Sequence, residues 1–204
     1  MARRRYIVNV DADIREEFIN KILNSFTPHT VKIDIKGDNV VITLYGTIDE
    51  IKRCWYEIKD ILATLKARAK AKSMGYTILE LKDVFKQVGG TFPPDVIVEI
   101  GKIKGFKVNF ENGKIITNIS EDELLEYIVK IVKAYEDMKF QVKGKAAKKL
   151  IASLAALFDL GTDSIIESCV EEGVIEELEG NYVLAEEWRK ALRRMYKVLK
   201  GSIE

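Results

Sequence analysis

The sequence is poor in the residues on which most enzyme chemistry depends. Its 204 residues include 1 histidine, 2 cysteines and 3 prolines. His29 stands beside Pro28 in an expected turn and is read as incidental. Cys54 and Cys169 lie far apart in helical patterns, which gives neither a disulfide framework nor a zinc spacing. Both are expected to be buried packing residues. No Walker A loop, G-x-G-x-x-G, nucleophile elbow or His-rich metal motif occurs. Asp11 and Asp13 at a strand end could hold a cation, but helix capping accounts for them more simply. The expected protein is therefore not an enzyme and has no cofactor or bound metal.

Long apolar runs are missing as well. The longest, residues 150–158, is far below the roughly 20 residues a membrane helix needs. Met1-Ala-Arg-Arg-Arg5 resembles the charged start of a signal peptide, but Asp11 and Asp13 end the apolar stretch too early. A cytoplasmic protein with no membrane partner is expected. Gln and His are scarce while Ile, Lys and Glu abound, a composition that leans towards a thermophile.

What is abundant is apolar surface and charge. Hydrophobic residues make up 47% of the chain, enough for packed cores. The net charge of +1 averages over an uneven distribution. Residues 1–75 carry 14 Lys/Arg against 10 Asp/Glu, residues 76–136 carry 8 against 10, and residues 137–204 carry 11 against 12. In the last stretch, positive charge gathers in 139–149 and 189–200, and negative charge in 167–187.

Residues 75–118 read as helix, turn, helix and hairpin. Ile78, Leu81, Val84, Phe85 and Val88 give the first helix one buried face, and Gly89-Gly90 ends it. The second opens at Thr91-Phe-Pro-Pro-Asp95, where proline suits a first turn. Val96, Ile97, Ile100 and Ile103 face inward, leaving Asp95, Glu99, Lys102 and Lys104 exposed. Gly105 stops it, and Glu111-Asn112-Gly113 turns a short hairpin. This is the order of a winged helix. Residues 146–184 repeat the plan. A helix over 146–158 precedes one lined by Ile165, Ile166, Cys169 and Val170. A hairpin then turns at Glu179-Gly180-Asn181.

Upstream, a strand over residues 5–10 leads to a helix opened by an Asp13 capping box. A hairpin around Gly37-Asp38-Asn39 follows, then a long helix from Ile48 to about Lys72. Ser120-Glu-Asp-Glu123 reads as a second capping box before a mostly buried helix. The expected fold is α+β, with a ferredoxin-like or KH-like β-α-β-β-α module over 1–74. Two winged-helix-like modules follow, over 75–138 and 139–204.

The long helix ends in alternating cations and alanines, with Lys66, Arg68, Lys70 and Lys72 presented on most sides of the cylinder. Such a tip could lie along phosphates and release counterions, although the helix dipole alone would favour cations there. Arg3, Arg4 and Arg5 precede the first strand. Lys143, Lys145 and Lys148 lie in residues 139–149, which read as either a linker or a second basic contact, and Arg189, Arg193 and Arg194 crowd the polar face of the last helix. Tyr45 and Phe110 could stack on bases, though strand packing is the simpler role.

The segment GGTFPPDVIVEIGKIKGFKVNFENGKIITN resembles a family of archaeal proteins described as a domain of unknown function. The matching residues are Gly89, Gly90, Pro94, Gly105, Phe106, Gly113, Thr117 and Asn118. The resemblance covers the middle third best and the last third poorly. These are turn and cap residues, so the resemblance implies an archaeal source and no particular activity.

These features point to a non-enzymatic RNA-binding protein associated with the ribosome or translation, its basic clusters seated on phosphate. The alternatives are a DNA-binding winged-helix regulator and an adaptor whose acidic 167–187 surface meets a basic protein. Against the DNA reading, neither second helix offers the Arg, Asn or Gln that reads base edges. Oligomeric state is not legible.

Overall fold

The computed structural model describes residues 2–203 apart from Pro28, Glu179 and Gly180. It is a mixed α+β chain divided into two units, Met1–Met74 and Gly75–Glu204.

The first unit runs β1 (Ala2–Asn9), α1 (Ala12–Ser25), β2 (Val31–Lys36), β3 (Asn39–Gly46) and α2 (Ile48–Ser73). β3 pairs antiparallel with both neighbours, in the order β1-β3-β2. β1 and β2 are therefore parallel to each other, with β3 between them. Period-two alternation sends Val40, Ile42 and Leu44 of β3 to one face, where they meet Phe18 and Ile22 of α1 and Ile51, Ile58 and Leu65 of α2. Tyr6 of β1 stacks on Trp55 of α2 at 3.9 Å between ring centroids. Both helices thus lie on the same side of the sheet.

Local details of this unit differ from the sequence expectation. The strand begins at Ala2, so the arginine triplet is inside it rather than before it. The N-cap of α1 is Asp11, which makes no side-chain capping bond, and Asp13 falls within the first turn, where its charge suits the helix dipole. A reciprocal capping box forms instead at α2, where Glu50 N–H donates to Thr47 Oγ1 and Thr47 N–H to Glu50 Oε2.

The second unit begins with β4 (Thr77–Glu80), α3 (Leu81–Val88), α4 (Asp95–Lys104), β5 (Val108–Glu111) and β6 (Lys114–Thr117). The sheet order is β4-β6-β5. Ile78 is thus a strand residue opposite Ile116, not part of α3 as its spacing suggested. Gly89 takes φ +69°, the left-handed C-cap of α3. Gly90 is required for space, because a Cβ there would run into the side chain of Val132.

The chain continues through α5 (Glu121–Asp137), α6 (Lys145–Phe158), α7 (Thr162–Glu171), β7 (Ile175–Leu178), β8 (Asn181–Leu184) and α8 (Trp188–Ile203). Ser120 Oγ accepts the Glu123 N–H at the start of α5, one half of the expected box. The expected turn at Glu179 and Gly180 lies outside the described residues, but β7 and β8 pair on either side of it. Val170 is 41% exposed rather than packed inward. The boundary expected at 138/139 falls inside a single core. Ile97 and Ile128 on one side of it, Met138 and Val142 at it, and Leu150 and Leu192 beyond it belong to one cluster.

Candidate nucleic-acid interface

Alternation along the first sheet defines a second face that neither α1 nor α2 covers. Arg3, Arg5 and Ile7 of β1 stand on it, opposite Tyr45, Thr43 and Val41 of β3. Lys32, Asp34 and Lys36 of β2 complete the third row. Ile7 is 64% exposed at its centre. Arg3 lies over the Tyr45 ring, 5.8 Å from the centroid. Lys32 pairs with Asp34 at 3.5 Å, and Asp34 is the single carboxylate among these strand residues. The face therefore carries a surplus of cations, with one aromatic ring at the Arg3 end and Lys36 at the other. Arg4 alternates to the opposite side, so the triplet is split two to one. Lys32 and Lys36 were missed in the sequence, where they stand as isolated lysines; only the hairpin register places them on the same face as Arg3 and Arg5, with Lys32 across β3 from Arg5 and Lys36 at the far end.

The tip of α2 is a separate site. Ala2 pairs with Gly46, so Arg3 sits at the end of the sheet where α2 begins. At ~1.5 Å per residue, Lys66 lies about 27 Å further along that helix. Lys66, Lys70 and Lys72 are exposed and make no ion pair among the described residues. Arg68 differs, because its guanidinium pairs with Glu17 of α1 at 2.9 Å and helps to fasten the two helices.

The basic face expected on α8 is turned towards carboxylates of its own unit. Arg189 reaches Glu99 Oε1 at 3.3 Å, Asp95 Oδ2 at 3.7 Å and Glu187 Oε1 at 3.3 Å. Arg193 approaches Glu99 at 3.9 Å. Arg194 donates to the Glu172 carbonyl at 2.7 Å and faces Glu172 and Glu186. Glu99, expected to be exposed, is 3% exposed. Lys102 pairs with it at 2.6 Å, and Lys149 of α6 pairs with Asp95. Trp188 lies against this cluster, with Lys149 Nζ 5.4 Å and the Arg189 guanidinium 4.8 Å from its ring.

The polar side of α4 is thus bound by α6 and α8. The reason is its i, i+4 spacing: Asp95 and Glu99 share one stripe while Val96, Ile97 and Ile100 form another. Two buried oxygens here, Asp95 Oδ1 and Tyr135 Oη, lack a partner. Burial, then the Asp95 charge, raises the Tyr135 hydroxyl pKa.

Lys143 between α5 and α6 and Lys145 at the start of α6 are exposed, while Lys148 Nζ donates to the Lys139 carbonyl at 3.3 Å. On α7, Asp163, Glu167 and Glu171 share an exposed acidic stripe with no cation paired to them among the described residues. Burial pushes the Cys169 thiol up to about 12, which keeps it protonated and inert. Among the described residues no group of His, Cys, Asp and Glu could hold a metal ion. None of their helices is long and apolar enough to cross a membrane.

Fold and surface together describe a two-unit α+β protein whose exposed cations gather on a sheet face, a helix tip and an interhelical loop. The chain belongs to the family described as an uncharacterized protein conserved in archaea (DUF2067), which matches residues 8–193. The family match therefore extends well beyond the middle third where the sequence resemblance was concentrated. An uncharacterized protein of Methanocaldococcus jannaschii, MJ0388, is 24% identical over 159 residues, covering 74% of this chain and 73% of its own. No solved structure matches the chain.

Proposed function

We propose that this is a non-enzymatic RNA-binding protein, acting at the ribosome or in translation, that meets RNA through the uncovered face of the first sheet. One observation carries the reading: Arg3, Arg5 and Lys32 stand around Tyr45, and Lys36 at the other end of the same face, which no helix of the unit covers. Cations neutralise phosphates, and an aromatic ring between them offers a stacking surface to an unpaired base. The order β1-β3-β2 supports a ferredoxin-like module. β4-β6-β5 with α3 and α4 supports a winged-helix-like one, and α6, α7 and the β7–β8 hairpin a second. The DNA-reading alternative is weakened by α4, whose polar side is held by Lys149 and Arg189 and is not free to enter a groove.

The test is binding of the full-length protein to single-stranded RNA, structured RNA and duplex DNA across a salt series. Replacing Arg3, Arg5, Lys32 and Lys36 with glutamate is expected to abolish RNA binding and its salt dependence. Unchanged binding, or a preference for duplex DNA, would overturn the assignment. Co-sedimentation with ribosomal subunits from a native lysate tests the ribosomal part.

A second reading, a protein-interaction adaptor, is favoured by the unpaired acidic stripe of α7. It requires that Glu167→Lys and Glu171→Lys remove association with a basic partner while RNA affinity stays as it was.

A further inference from the structure

The loop between α5 and α6 holds its tip in a fixed pose with an aromatic ring turned outward. Met138 and Val142 are fully buried on either side of it. Phe140 between them is 87% exposed, the most exposed of the large hydrophobic residues described. A phenyl ring left in water is unfavourable, and a loop tip ordinarily carries small or polar residues. Its neighbours are cationic. Lys139 Nζ lies 5.5 Å from the ring centroid, and the bond from Lys148 Nζ to the Lys139 carbonyl ties the loop to α6. Lys143 and Lys145 are exposed and make no ion pair among the described residues. The first turn of α6 contains no acidic residue, so its lysines stand where the helix dipole disfavours positive charge. Glu136 and Asp137 lie behind, at the end of α5.

We propose that Phe140 is a stacking platform for one unpaired base of single-stranded RNA, with Lys139, Lys143 and Lys145 on the flanking phosphates. The proposal rests on the RNA-binding reading above and adds a second contact, in the second unit. Stacking on an exposed ring accepts any base, while the lysines track the backbone, the combination used for single strands. A lipid surface is the weaker fit. The other exposed side chains of the tip, Lys139, Gln141 and Lys143, are polar, so a single ring would have to insert alone.

The experiment uses the full-length protein and a single-stranded RNA carrying 2-aminopurine. Stacking on Phe140 is expected to change the probe's fluorescence on binding. Phe140→Ala should weaken binding about tenfold, leave the salt slope intact and remove that part of the signal, while Phe140→Tyr keeps both. Lys143→Glu with Lys145→Glu should instead flatten the salt slope. Circular dichroism checks that the variants fold. If Phe140→Ala binds like the parent while the sheet-face reversals lose binding, the platform is wrong and the RNA reading stands. If the parent binds no RNA, both fall. Retention on phosphatidylserine vesicles that depends on Phe140, with RNA binding unaffected, would overturn the platform in favour of a membrane contact.

Discussion

In the first unit Arg3, Arg5, Lys32 and Lys36 stand on an uncovered sheet face, whereas in the second Arg189, Arg193 and Arg194 turn to carboxylates of their own unit. Arg3 and Arg5 look as available in the sequence as the α8 arginines do. The two sets differ in what the fold brings opposite them. On the sheet face the cross-strand neighbours are mostly uncharged, and Asp34 answers only one lysine. On α8, Arg189 and Arg193 meet Glu99, some ninety positions earlier and carried in by α4, and Arg194 meets Glu172 and Glu186. A basic cluster is a surface for a polyanion only where its own fold leaves it uncompensated.

The largest expected effect breaks the internal network. Lys102→Ala with Arg189→Ala strips Glu99 of its two closest cations while the carboxylate stays buried, which should cost about 3–5 kcal/mol in chemical denaturation. Glu99→Leu removes the charge and fills the space, and is expected to be nearly neutral. Equal losses for both variants would mean that the network contributes packing rather than charge compensation.

Next comes the sheet face. The four reversals to glutamate should lower RNA affinity by at least about 100-fold at low salt, with the melting temperature close to that of the parent. A large fall in melting temperature would show that these side chains stabilise the unit, as those of α8 do.

A smaller effect is expected at the start of α2. Thr47→Ala removes half of the capping box and should cost about 1 kcal/mol. The Thr47 N–H, then its hydroxyl, hold the Glu50 carboxyl below its ordinary range. The contribution of Glu50 is therefore present above the ordinary carboxylate pKa and fades as pH falls through the lowered folded value. Urea midpoints of parent and Glu50→Gln should converge in acid; a gap independent of pH would sever this link.

The smallest change is expected at the helix tip. Lys66→Glu, Lys70→Glu and Lys72→Glu together should alter RNA affinity less than about threefold if the sheet face is the main contact. A loss as large as that of the sheet variants would move the interface to the tip. Arg68 is kept, since its bond to Glu17 would confound the measurement.

Much of the local architecture was legible because its signals are local. The Gly37-Asp38 and Asn112-Gly113 turns, the apolar stripes of α1 and α2, and the Gly89 and Gly105 stops all act within a few residues. β4 was not legible: Ile78 continues the helical spacing of α3, and its partner Ile116 lies in β6, beyond two helices. Arg189 and Arg193 were misread for the same reason, since Asp95 and Glu99 are distant in sequence. Arg3 and Arg5 were found as part of a run, but Lys32 and Lys36 join them only through pairing across β3. Phe140 gives no periodic signal at all, and only the burial of Met138 and Val142 sets it apart.

β1 is an outer strand, and among the described residues its free edge pairs with nothing. Along this eight-residue strand alternate amides and carbonyls point outward unsatisfied, a template for another chain, and positive side chains along such an edge keep chains apart. The arginines that would greet RNA thus also guard against self-assembly. Swapping them for alanine would strip both roles at once, so oligomers that grow with concentration in sedimentation are the expected signature of that swap, and glutamate is the cleaner replacement because it keeps the repulsion.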